Sequence, residues 1–210
     1  MKTKGFAHLL LINHWYSIVI DQIRIILTSG LYDECEEINI GCLGTELQRS
    51  LLEKFVVNVY PKFKIRYYSE KLDEYEFPSI KLIEEDNSRY IGFYFHTKAV
   101  TRIDDIAQTN NRAWLNESVL NRWRGHRKRV ENGWDVSAQN YLLFPAHLSG
   151  NFWWFNREYV NALPKIDTLD KTNRHLAEQW ICMSKYRRVY SDVFLEPTTD
   201  TFRIEYKKQD

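Results

Sequence analysis

The feature that most constrains this chain is the alternation, over its first hundred residues, of short unbroken apolar runs with segments of helical period. Ala7 to Asn13 (AHLLLIN) is such a run, the pattern of a strand buried on both faces of a parallel sheet. Trp15 to Ser29 comes next with Ile18, Val19, Ile23, Ile26 and Leu27 at helical spacing, and Gly30 ends it. Ile38 to Cys42 predicts a second strand ending at Gly44, and Thr45 caps a helix from Glu46 to Val57. Phe63 to Tyr68 predicts a third strand. Pro78 opens a helix carrying Ile80, Leu82 and Ile83, and Tyr90 to Phe95 predicts a fourth strand running into His96-Thr97-Lys98.

Strands joined by helices imply right-handed crossovers and a mostly parallel sheet. Ligands of such sheets sit beyond the carboxyl ends of the strands, where strand order reverses. The polar residues there are Asn13 and His14, then Gly44 and Thr45, then His96, Thr97 and Lys98. The second half reads differently. Ala113 to Asn132 is a long polar helix closed by Gly133, His147 to Phe155 a strand, Arg157 to Leu163 a short helix, Thr172 to Lys185 another, and Val189 to Tyr206 holds extended pieces. No linker or repeat divides the 210 residues, which fit one domain.

Bulk properties exclude several classes. A formal net charge of +1 gives no general attraction to nucleic acid or an anionic membrane. Cys35, Cys42 and Cys182 have neither disulfide-framework nor zinc-ligand spacing, which suits a reducing cytoplasm. The apolar run Phe6 to Asn13 is too short to span a bilayer, which takes about 20 residues. GxGxxG, Walker, GxSxG and HExxH signatures are absent.

Five constellations can carry chemistry. In His96-Thr97-Lys98 a lysine can pair with a diphosphate, although two polar residues after a strand are also ordinary loop residues. His147-Leu148-Ser149-Gly150-Asn151-Phe152-Trp153-Trp154 sets short polar groups beside two large rings; it suits a hydroxyl-rich ligand or, equally, a bulged core strand. Glu178 is a base for an acceptor hydroxyl or the partner of Arg174 four residues earlier. Asp104-Asp105 offers oxygens to Mg²⁺ or Mn²⁺, or begins a helix. Arg122 to Arg129 (RWRGHRKR) contacts phosphates or forms a solvated helix face.

The stretches SGLYD (Ser29 to Asp33), IGCLG (Ile40 to Gly44), YFHTK (Tyr94 to Lys98), Trp123-Arg124, HLSGNFWW (His147 to Trp154) and AEQWI (Ala177 to Ile181) occur in an order that resembles a family of small glycosyltransferases. These have the A-type (GT-A) fold and are found in bacterial polysaccharide clusters and large algal viruses. The resemblance implies a single-domain α/β/α sandwich of the nucleotide-diphospho-sugar transferase type, with a nucleotide-binding half over about residues 1–100 and an acceptor half over about 101–210. It implies Asn13, Tyr16, Gly44, His96 and Lys98 on the nucleotide-sugar donor. It places Ser149, Asn151, Trp153 and Trp154 on a saccharide or lipid-linked saccharide acceptor, and Glu178 with His147 at the chemistry, with inversion at the anomeric carbon. The setting implied is the cytoplasm, at the inner membrane surface for a lipid-linked acceptor, with no nucleic-acid partner. Two departures stand out: Ala99 follows Lys98 where the family tends to carry glycine, and no acidic D-x-D motif follows the fourth strand. Manganese or magnesium then needs other ligands, with Asp104 and Asp105 the candidates, or Lys98 and its neighbours neutralise the leaving diphosphate without a metal. A nucleotidyltransferase and a non-catalytic carbohydrate-binding protein are the competing readings.

Overall fold

The computed structural model describes residues 1–102, 104–196 and 203–206, the side chains of 193–196 and 203–206 excepted. Strand β1 (Lys2–Leu11) leads through a turn into helix α1 (Trp15–Thr28) and the short α2 (Leu31–Glu34), and then β2 (Cys35–Gly44) begins. Both strands start several residues before their apolar runs. Their early residues alternate exposed or half-buried charged side chains (Lys2, Lys4, Glu36, Glu37) with buried ones, and the backbone is already paired, Thr3 with Cys35 and Gly5 with Ile38. Helix α3 (Glu46–Leu52) opens with a capping box between Thr45 and Gln48 and widens into a π turn, Glu53–Val57. Next come β3 (Phe63–Ser69), α4 (Phe77–Glu85), with Pro78 in its first turn, and β4 (Tyr90–His96).

The second half departs from its sequence pattern in three places. The helix expected over Ala113 to Asn132 is two: α5 (Ile106–Leu115) runs into a π turn, Asn116–Asn121, and α6 (Trp123–Glu131) restarts after Arg122. The break lies where Arg122 N donates to Glu117 O, five residues back, before Arg122 leaves helical geometry at φ −88°, ψ 29°. The expected strand His147 to Phe155 is also two, β6 (Ala146–Leu148) and β7 (Trp153–Asn156), preceded by an unanticipated β5 (Val136–Leu143). Consecutive left-handed conformations at Gly150 (φ 94°) and Asn151 (φ 53°) reverse the chain between β6 and β7. Finally, α7 (Arg157–Val160) and α8 (His175–Gln179) are short, α8 tightening into a 3₁₀ turn over Trp180–Cys182. Strands β8 (Val189–Glu196) and β9 (Arg203–Tyr206) complete the order; residues 197–202 of that extended stretch lie outside the described residues.

The strands form one mixed, mostly parallel sheet in the order β3-β2-β1-β4-β7-β5-β8-β9, with β6 beside β5. Strands β3, β2, β1 and β4 are parallel neighbours, β7 enters antiparallel between β4 and β5, and β5 pairs parallel with β8. Apolar clusters cover both faces. On one face α1, the α5–α6 segment and Val56 pack on Leu9, Leu11, Phe93 and Trp154. On the other, α4, α7 and α8 pack on Phe6, Tyr94, Trp153 and Phe155. The result is a three-layer α/β/α arrangement. No described helix is long and apolar enough to cross a membrane, and the three cysteines are buried and free.

Candidate functional site

The chain leaves β1 toward β2 and β3 on one side, then returns to put β4 on the other side of β1. The reversal of strand order therefore falls between the carboxyl ends of β1 and β4. A cleft of about 310 Å³ opens there, formed by His8 and Leu10 of β1, the approach to α4 (Tyr75, Glu76), the turn after β4 (His96 to Arg102) and α8 (Arg174, Glu178).

Glu76 is its best-held charge. One carboxylate oxygen, Oε2, accepts from the Tyr94 hydroxyl and, at 2.6 Å, from Asn151 Nδ2. Burial and the adjacent Glu76 carboxylate push the Tyr94 phenol well above its usual range, so it stays protonated and donates. Asn151 is itself fixed, since its Oδ1 accepts from Trp153 Nε1 at 2.7 Å. The other Glu76 oxygen, Oε1, stands 3.7 Å from His96 Nδ1. That approach is not an ion pair: burial, with Lys98 beside it, lowers the His96 pKa to about 4. The neutral ring donates from Nε2 to Gly150 O at 2.9 Å.

His8, in register with His96 on the neighbouring strand, is likewise lowered to about 4 by burial and by His96, against the pull of Glu76. Its Nδ1 lies 2.9 Å from Ser79 Oγ, whose hydroxyl faces Gly41 O at 3.4 Å. The imidazole thus donates from Nδ1 and keeps Nε2 as an acceptor. Burial pulls the Lys98 ammonium below its usual range, while Glu178 and Glu76 act in the opposite direction. With Arg102 and Arg174, both exposed, Lys98 places three cations around two carboxylates and two neutral imidazoles. The ion pair that the spacing of Arg174 and Glu178 offered is not made among the described residues.

Backbone strain concentrates at the same place. Asn13, Tyr75, Ala99 and Asn151 are non-glycine residues at positive φ, and Tyr75 and Ala99 line the cleft while Asn151 anchors Glu76. Such conformations cost about 1–3 kcal/mol each and persist where the surroundings enforce them. At φ 65° Ala99 adopts a backbone conformation that glycine takes without penalty and that costs alanine strain.

Of the residues singled out in the sequence, His96, Lys98 and Glu178 meet in this cleft, and Asn151 supports it. Asn13 lies at its back, where Nδ2 donates to Val100 O and ties the turn after β1 to the turn after β4. Gly44 packs its backbone against Leu11: a Cβ there would sit 2.7 Å from Leu11 Cβ. Tyr16 is half exposed and edge-on to Phe55, outside the lining. His147 does not reach the cleft; it sits on the β5–β6 hairpin with Nδ1 against Pro145 O. Ser149 bonds through its backbone N–H to Asn140 O. Trp153 and Trp154 are both 0% exposed, Trp153 stacked on Tyr94 and Trp154 on Phe93, so neither ring offers a platform to a saccharide. Asp105 caps α5 by accepting from Gln108 N, Asp104 is exposed, and no group of three or more described His, Cys, Asp or Glu side chains is placed to hold a metal ion. With Asp105 committed to the helix terminus, Asp104 and Asp105 do not act as a ready-made pair of metal-binding carboxylates.

His8, Glu76, Arg102 and Arg174 carry no motif. His8 is the one ionisable residue within AHLLLIN, and that polar interruption is the signal that could have drawn attention to it. Glu76 has no such mark. No protein-family model matches the chain, and no curated protein matches its sequence.

Proposed function

We propose that the cleft between β1 and β4 binds a nucleotide-diphosphate sugar and that the chain is a glycosyltransferase on a GT-A-type sandwich. The observation that carries this reading is the grouping of Lys98, Arg102 and Arg174 with Glu76 and Glu178 at the reversal of strand order. Three cations suit a diphosphate, whose charge grows as it leaves. Burial strengthens the field of Lys98 on that group. Glu76 has one oxygen committed and one turned to His96 and the cleft, an acceptor for a sugar hydroxyl. Glu178 takes the proton of the acceptor hydroxyl as that oxygen attacks the anomeric carbon. The bond from that carbon to the diphosphate oxygen breaks, its electron pair leaves with the nucleoside diphosphate, and the configuration inverts. No step in this scheme is routed through a metal; Lys98, Arg102 and Arg174 supply the charge that meets the diphosphate.

Titration with UDP-, GDP- and dTDP-sugars, followed by calorimetry and by product release, tests the reading. One donor is expected to bind in the micromolar range. Lys98→Ala is expected to weaken it about tenfold or more, whereas Glu178→Gln leaves binding intact and lowers turnover by about 10²–10⁴. No binding across the panel would refute the donor site, and release of pyrophosphate in place of a nucleoside diphosphate would make the protein a nucleotidyltransferase. Saccharide binding without any donor binding would make it a carbohydrate-binding protein.

A further inference from the structure

The basic run Arg122 to Arg129 takes no part in the cleft, and the structure divides it. Arg127 is spent on Glu34, Glu131 and Met1 O. Arg122, Arg124 and Arg129 instead line a second cavity of about 580 Å³, beside α6, Gln139 of β5 and Asp192 of β8, which shares no residue with the cleft between β1 and β4.

Each of these three guanidinium groups is anchored through one nitrogen and keeps two others unpartnered among the described residues. Arg122 Nε donates to Glu117, Arg124 Nη1 donates to Ser29 O while its plane covers Trp123, and Arg129 Nη2 meets Tyr190 Oη and Asp192. Asp192 is steadied in turn by Gln139 Nε2 at 2.7 Å. Arginines held this way present their remaining N–H groups without first losing side-chain freedom. Gly125 leaves the wall between them low, since a Cβ there would meet only the Arg129 guanidinium, at 3.4 Å. Trp114, 39% exposed, supplies a ring on the same wall. The π turn Asn116–Asn121 sits between Trp114 and Arg122, and such wide turns are frequent at functional sites.

We infer that this cavity is a binding site for an organic phosphate: the guanidinium forks take the phosphate oxygens and the attached ring stacks on Trp114. A nucleotide and a sugar phosphate share this chemistry. Neither requires any particular occupant between β1 and β4.

The experiment is calorimetric titration of the intact protein with inorganic phosphate, glucose 1-phosphate and AMP, at low and high salt. Saturable binding is expected for the organic phosphates, about tenfold tighter than for inorganic phosphate and weaker at high salt. The tighter of the two identifies the ring. Arg122→Ala, at a side chain 75% exposed and therefore safe for folding, is expected to weaken all three ligands about tenfold. Trp114→Ala should erase only the preference for a ring, and the loss in Arg122→Ala is expected to persist in a Lys98→Ala background, where the β1/β4 cleft no longer contributes phosphate binding. Absence of saturable binding, absence of a ring preference, or a loss that tracks Lys98→Ala and spares Arg122→Ala would each overturn the assignment.

Discussion

Glu76 shows how much a single side chain can be asked to do. It ends the approach to α4, accepts from Tyr94 and Asn151 through one oxygen, and raises the pKa of Lys98 through its charge. Removing it has two separable consequences. Glu76→Ala strands the buried Tyr94 hydroxyl and Asn151 amide, at about 1–3 kcal/mol for each group left unsatisfied. Glu76→Gln keeps an acceptor oxygen but not the charge. Urea unfolding is therefore expected to show a large loss for the alanine variant and a smaller one for the glutamine variant. Equal stability of the alanine variant and the parent would mean that the network holds nothing. In the glutamine variant Lys98 is also expected to lose its proton at a lower pH, because one of the two carboxylates supporting its charge is gone.

At the scale of elements, the position of α4 decides where Glu76 stands. The helix lies against β2 at Gly41, so closely that a Cβ on that residue would fall 3.1 Å from the Ser79 backbone Cα. Ser79 is also the partner of His8, and one contact therefore sets both the helix and an imidazole of the cleft. Gly41→Ala forces α4 outward, at about 1–3 kcal/mol for an overpacked core position. The expected result is a lowered urea midpoint together with weaker binding in the β1/β4 cleft, although residue 41 does not line it. Unchanged binding in a destabilised variant would separate the helix position from the site.

At the scale of the whole molecule, three buried histidines link stability to pH. His8, His96 and His126 are each lowered by burial to about 4, against 6.5 for the free side chain. Between those values the unfolded chain binds more protons than the folded one. Stability is then full above about pH 6.5 and falls as pH drops toward 4, by up to about 1.4 kcal/mol per pH unit for each histidine. Urea midpoints measured from pH 7.5 to 4.5 should decline over this window, more gently in His126→Gln. A flat profile would show that these histidines take up protons without unfolding.

The sequence by itself determined the strand–helix alternation of residues 1–100, the capping of α3 at Thr45 and the position of His96 and Lys98 at a strand end. Those properties depend on local periodicity and on the residue types at the close of a strand, both of which are set within a few residues of chain. It did not determine whether HLSGNFWW was a ligand platform or core. That choice was made by β4, which pairs Tyr94 with Trp153 and Phe93 with Trp154 and buries both indoles between the sheet and its helices. Nor did it single out Glu76, whose role depends on Tyr94 and Asn151, 18 and 75 residues away in the chain. The split of Arg122 to Arg129 into a buried tryptophan, a spent arginine and three arginines facing a cavity was decided in the same way, by packing of α6 against β5 and β7. Helical spacing states which residues share a face; only the tertiary structure states what that face meets.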